Sequence, residues 1–191
     1  MINRKIKLLF NGNGAVGKTS LLIKYTTGEF PCEYVPTVME CCTMNVTYKD
    51  IKFNMELWDT GGGEDYPRLR PLSYPNTTCF VLCFSLVNLN SFNSLKTTWL
   101  PEIRHFDQDI PILLVGLKSD LIESNEKIES CYFRYIYQKI TTEKCLQMAK
   151  DIGANGYIEC SSFNNSNVNV VIKKAIQLSY EYLRTYKTFK K

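Results

Sequence analysis

Apolar residues fall into short runs that alternate between the two-residue period of strands and the longer period of helices. Lys5 to Phe10 predicts a first strand, followed by a glycine-rich turn and a helix over Lys18 to Tyr25. Ile51, Phe53, Met55 and Leu57 alternate with polar neighbours, the pattern of a half-buried strand. Thr78 to Phe84 and Ile110 to Val115 are continuously apolar, which suits central parallel strands covered on both faces. Between them, Ser91 is placed to cap a helix running to about His105. Thr142 to Ile152 predicts a helix ended by Gly153, and Tyr157 to Cys160 a short strand. Val168, Val171, Ile172, Ala175, Ile176, Leu183 and Tyr186 then recur at helical spacing on one face. This alternation predicts an open α/β sheet with helices on both faces, its ligands bound beyond the carboxyl ends of the strands.

Composition narrows the class. With 191 residues, 45% apolar and 22% charged, the chain has material for one domain core and is not disordered. Its longest strongly apolar run, Cys79 to Leu86, is far short of the roughly 20 residues that span a bilayer. No apolar segment with a small-residue cleavage site precedes Ile6, so no secretory leader is expected. A net charge of +4 is too small to argue nucleic-acid binding. The eight cysteines form no C-x-x-C pair and have one histidine, His105, to join them. Neither a zinc site nor a disulfide framework fits; most of the thiols are expected to be small buried side chains in a reducing cytosol. His105 is expected to be structural or solvated.

Gly12-Asn13-Gly14-Ala15-Val16-Gly17-Lys18-Thr19 matches G-x-x-x-x-G-K-[ST] between a strand and a helix, the setting that the motif requires. Glycines let successive N–H groups turn toward one point, the helix N-terminus adds positive potential, and Lys18 supplies a charge for terminal phosphates. Thr19 offers a hydroxyl to Mg²⁺, and Asp59, after the strand Phe53 to Trp58, stands where a metal-associated carboxylate is expected. This loop alone does not choose between ATP and GTP, or between kinase, motor and switch. The choice comes from Gly116-Leu117-Lys118-Ser119-Asp120 after the third apolar strand. A carboxylate at 120 accepts paired hydrogen bonds from the N1–H and exocyclic amine of guanine, which adenine cannot give. The stem of Lys118 can cover the ring face. Cys160-Ser161-Ser162, after a later strand, could present backbone N–H groups to the guanine O6.

With these residues in place, the chain resembles the Ras superfamily of small GTPases, and within it the Rho/Rac family, to about Arg184. Specific to that resemblance are Phe30-Pro31-Cys32-Glu33-Tyr34-Val35-Pro36-Thr37-Val38, Trp58-Asp59-Thr60, Glu64-Asp65-Tyr66 and Arg68-Leu69-Arg70-Pro71-Leu72-Ser73-Tyr74-Pro75. It implies the three-layer P-loop NTPase fold: a six-stranded, mostly parallel sheet with about five helices and a Rho-type insert at about 121–140. A small GTPase domain would occupy 1–186 and a basic tail 187–191.

The resemblance also implies GTP/GDP and Mg²⁺ as ligands. Gly14, Ala15, Val16, Gly17, Lys18, Thr19 and Ser20 would hold the phosphates. Thr37, in switch I, would bind Mg²⁺ directly with Thr19, and Asp59 would do so through water. Gly62 would donate to the γ-phosphate, Phe30 would pack beside guanine and Tyr34 would close over the phosphates. Lys118, Asp120, Ser161 and Ser162 would form the base site. Lys18, Thr37 and position 63 would serve catalysis. Implied partners are exchange factors (of the Rac type from Trp58), activating proteins, GDP-dissociation inhibitors and effectors that meet Tyr34 to Cys42 and switch II. A monomer signalling to the actin cytoskeleton is the family's pattern.

Several positions depart from the family. Gly63 stands where Gln normally orients the attacking water, so GTP binding with very slow hydrolysis is expected. A permanently GTP-bound, effector-binding module regulated by abundance is the alternative. Gly61 replaces Ala and gives three successive glycines, which makes switch II costlier to order. Leu117 replaces Thr or Asn, removing a hydrogen bond between base loop and phosphate loop and predicting faster nucleotide exchange. Met39 and Glu40-Cys41-Cys42 alter the effector strand and put common Rac effectors in doubt. From Lys173 onward six Lys/Arg face one Glu, yet no cysteine follows Cys160 to carry a prenyl group. A chain shortened before its lipidation signal is the expected explanation. The protein is expected to be cytoplasmic, with its tail bringing it to the inner face of the plasma membrane.

Overall fold

β1 (Lys5–Asn11) is buried from its second residue to its last, as a strand with neighbours on both edges must be. In the computed structural model, which describes residues 4–33, 39–62, 70–123 and 138–189, it lies inside a six-stranded sheet. The other strands are β2 (Met39–Tyr48), β3 (Ile51–Thr60), β4 (Cys79–Ser85), β5 (Ile112–Leu117) and β6 (Gly156–Cys160), in the order β2-β3-β1-β4-β5-β6. β1 runs parallel to β3, with Ile6 opposite Met55 and Phe10 opposite Asp59, and parallel to β4, with Asn11 opposite Leu82. β4–β5 and β5–β6 are also parallel; β2–β3 is the antiparallel pair, closed by a hairpin turn in which Lys49 and Asp50 take φ of 48° and 59°.

Helices cover both faces. α1 (Lys18–Thr27) and the long α6 (Val168–Phe189) share one core, where Leu21, Val171 and Ile172 pack against Ile6, Leu8 and Phe10. The opposite core takes Leu9 with Phe92 from α2 (Leu89–Ser94), Ile103 from α3 (Leu100–Phe106), Trp99 from the turn between them, and Met148 from α5 (Thr142–Asp151). Successive β1 residues thus feed opposite layers, as the strand pleat dictates. α2 and α3 join through a widened turn, Leu95–Trp99, in which the Leu100 N–H reaches back to the Leu95 carbonyl; Pro101, which has no N–H to give, follows at once. A short α4 (Asp120–Glu123) opens the segment in which the insert was expected, and 124–137 lie outside the described residues.

One local expectation shifts. The cap of α2 is Asn88, whose Oδ1 accepts the Ser91 N–H; Ser91 sits inside the helix and its hydroxyl donates to the Asn88 carbonyl. β2 has no fully buried residue, yet Met44, Val46 and Tyr48 alternate with polar neighbours and pack, half-buried, against the core, a period that the reading of the sequence passed over. Cys79, Cys83, Cys145 and Cys160 are buried as expected, whereas Cys32, Cys41 and Cys42 are exposed.

Candidate nucleotide site

β1 ends directly beneath the phosphate loop, and the loop's shape follows from what lies under it. Gly12 has φ +143°, and a Cβ there would fall 2.0 Å from the Cys83 carbonyl oxygen of β4, so only hydrogen fits. Ala15 (φ 58°) and Gly17 (φ 112°) complete the turns. α1 then begins without a side-chain cap and without an acidic residue in its first turn. Its terminal N–H groups and dipole face the loop as an anion site. Lys18 is only 5% exposed, and its Nζ donates to the carbonyls of Gly12 at 2.8 Å and Asn13 at 2.9 Å. Burial pushes this ammonium below its usual range, and Asp59 beside it opposes the shift.

β3 delivers two further parts. Thr19 Oγ1 donates to Asp59 Oδ2 at 2.5 Å, joining the first turn of α1 to a buried carboxylate. Beyond β3, the Gly62 carbonyl accepts the Gly14 N–H at 2.9 Å. A Cβ on Gly62 would lie 2.2 Å from the Asn13 carbonyl carbon, so glycine is what allows this segment to rest on the phosphate loop. A hydroxyl and a carboxylate are the hard oxygen donors that Mg²⁺ takes, and the residues present fit a magnesium-bound phosphate.

A cavity of about 240 Å³ adjoins the loop. Val16, Gly17 and Ser20 form one side; Leu117, Lys118 and Asp120 enter from the end of β5; Phe30, Ser162 and Phe163 close it. Lys118 takes φ 64° and sends its Nζ to the Ala15 carbonyl at 2.8 Å. Burial lowers its pKa, against the raising effect of Asp120. Asp120 is oriented by Ser161, whose hydroxyl donates to Oδ1 at 2.5 Å. The Ser161 N–H is committed to the Ser166 carbonyl at 3.0 Å, so the expected presentation of that N–H to a base gives way to a positioning role for its hydroxyl. Leu117 is buried in the apolar core behind the loop.

Sequence reasoning missed Phe163. It is 68% exposed and makes an edge-to-face pair with Phe30, ring centroids 5.5 Å apart. An exposed aromatic directly after the Ser161-Ser162 pair was the available signal. Tyr34, Thr37 and Gly63 lie outside the described residues. Cys41 and Cys42 sit exposed on β2 at the sheet edge, and Trp58, opposite Cys41, is half-buried with the Lys7 ammonium 4.0 Å from its ring centre.

The comparisons with known proteins agree with this geometry. The Ras-like GTP-binding protein RhoL of Drosophila melanogaster is 44% identical over 175 residues, covering 91% of this chain and 86% of that protein. The model of the Ras family matches residues 7–181, a span that takes in both the glycine-rich phosphate loop and the Asp120 cavity. A family match that spans residues 7–181, together with a relative 44% identical over most of both chains, places the chain in the Ras family.

Proposed function

We propose that this Rho-like GTP-binding switch binds GTP and GDP in the cavity bounded by Lys118 and Asp120 and hydrolyses GTP slowly. One observation carries the binding half of this reading: the phosphate loop and Asp120 line a single cavity, tied together through the Lys118–Ala15 hydrogen bond. Asp120 selects guanine by accepting from N1–H and the exocyclic amine, and Ser161 keeps that carboxylate aimed. Phe30 and the stem of Lys118 cover the base. Gly14 to Ser20 hold the phosphates, and Lys18 balances their charge. Thr19 and Thr37 would hold Mg²⁺ directly and Asp59 through water; when bound, the ion neutralises charge developing on the phosphate oxygens. Gly62 meets the γ-phosphate, so its loss releases the segments around Thr37 and Gly62, and effectors read that change in population.

The slow half rests on Gly63, which has no side chain to orient water. Losing about 3 kcal/mol of transition-state positioning slows a step roughly a hundredfold. Effectors would meet exposed β2, with the Cys41-Cys42 pair changing which of them fit. Rac-type exchange factors would read Trp58, and the basic tail would draw the protein to the inner plasma membrane.

The test is the co-purified nucleotide together with single-turnover hydrolysis by wild type and Gly63→Gln. Bound GDP or GTP, with faster turnover in the variant, supports the proposal; equal rates would remove the slow-hydrolysis half. GTP alone, with no turnover in the wild type, favours the permanently loaded module. A sample that prefers adenine nucleotides defeats the whole reading.

A further inference from the structure

Asn11, the last residue of β1, is fully buried, and this amide follows the apolar run Leu8 to Phe10. Burying an amide is unfavourable unless its polar atoms are bonded, and both ends of this one are engaged. Its Nδ2 donates to the Tyr74 hydroxyl at 2.8 Å, and its Oδ1 accepts from the Thr60 hydroxyl at 3.0 Å, which also reaches the Phe10 carbonyl at 2.7 Å. Tyr74 donates in turn to Glu102, whose carboxylate grips Arg70 through two hydrogen bonds of 2.9 and 2.7 Å. The amide orientation follows: Tyr74 spends its proton on Glu102, so Asn11 must offer it an N–H.

The two partners of Asn11 bracket one stretch of chain. Thr60 ends β3 and leads directly into Gly61-Gly62, where the Gly62 carbonyl meets the Gly14 N–H of the phosphate loop. Arg70 and Tyr74 resume the chain beyond residues 63–69. A second strut runs parallel to the first. Arg70 lies 4.4 Å from the Trp99 ring centre, and the Trp99 indole N–H donates to Asn13 Oδ1 at 2.7 Å. The end of β1, the phosphate loop and both flanks of the 61–69 segment are therefore held to one another by buried or half-buried polar contacts.

We propose that Asn11 is a positioning residue that sets how the Gly61-Gly62 turn meets the terminal phosphate, and so governs discrimination between nucleoside triphosphate and diphosphate. The proposal rests on the guanine-nucleotide reading above. The side-chain partners of Asn11, Thr60 and Tyr74, lie on the flanks of the Gly61-Gly62 turn, and Asn11 does not line the Lys118–Asp120 cavity, so its effect is expected at the third phosphate. Asn11→Val removes the amide with little change in volume, and Tyr74→Phe removes one of its partners while keeping the ring.

The experiment measures Kd for GDP and for a non-hydrolysable GTP analogue by displacement of a fluorescent guanine nucleotide, alongside thermal melting. Asn11→Val should weaken the triphosphate about fivefold, the scale of one neutral hydrogen bond, with GDP affinity held within about twofold. Tyr74→Phe should move the ratio in the same direction, and the double variant should add nothing beyond the larger single effect. An unchanged triphosphate-to-diphosphate ratio, or parallel loss of both affinities, overturns the proposal as a mere stability effect. Should Asn11→Val fail to fold, Tyr74→Phe decides by the same criterion. Wild-type protein that binds neither nucleotide sinks the functional reading and this inference together.

Discussion

Lys118 Nζ donates to the Ala15 carbonyl at 2.8 Å, fastening the loop after β5 to the phosphate loop across the mouth of the cavity. Position 118 therefore supplies a link between the two loops, while Leu117 turns its side chain into the core. The two loops are mechanically joined through one side chain.

Lys118→Met keeps the apolar stem and removes that link. A hydrogen bond from a charged donor is worth about 1.5–3 kcal/mol, so nucleotide release should accelerate at least about tenfold. Leu117→Thr should slow release relative to wild type. Stopped-flow dissociation of a fluorescent guanine nucleotide checks both; equal off-rates in all three proteins would contradict the link.

Thr19→Ala removes the hydroxyl that donates to Asp59 and leaves a buried carboxylate poorly solvated. The apo protein should lose about 1–3 kcal/mol of stability, measured by urea unfolding. Mg²⁺ should raise the melting temperature of nucleotide-loaded wild type but hardly that of the variant.

Gly12→Ala places a methyl 2.0 Å from the Cys83 carbonyl oxygen at a backbone conformation that alanine avoids. The backbone of β4 cannot yield cheaply. A loss of at least about 3 kcal/mol in unfolding free energy is expected. Gly153→Ala is the control: it has positive φ but open space around the new methyl, and should be milder.

Burial raises the Cys79 thiol to about 12, against 9.0 for the unfolded chain. A raised folded pKa means its contribution is full below about 9 and is lost as pH rises toward 12, at up to about 1.4 kcal/mol per pH unit. Lys7 and Lys18, both held below 10.5 by burial, act with the opposite sign. The thiol's part is therefore read as a difference: between pH 9 and 10.5, Cys79→Ala should lose stability less steeply than wild type in urea titrations.

Legibility in the sequence followed the range of the interactions. β1, β4 and β5 were visible because strands buried on both faces are predominantly apolar. The phosphate loop was visible because its glycines and Lys18 lie within eight successive residues, and Asp120 because the motif follows a recognisable strand. β2 was passed over although Met44, Val46 and Tyr48 alternate, because only half of this edge strand meets the core; its other half, with Cys41 opposite Trp58 and Cys42 opposite Leu57, is held by the hairpin pairing. The helix cap moved from Ser91 to Asn88 because both residues hydrogen-bond locally and only the path of the preceding strand decides which one caps.

The sequence by itself determined the alternation of the central strands with their helices, the phosphate-loop motif and the guanine-nucleotide expectation, because these depend on burial period and on residues close together in the chain. Only the tertiary structure decided that Ser161 aims Asp120, that Phe163 meets Phe30 and that Asn11 joins Thr60 to Tyr74. Each of those contacts is made between residues dozens of positions apart, where the sheet order and helix packing, rather than any local pattern, set which side chains meet.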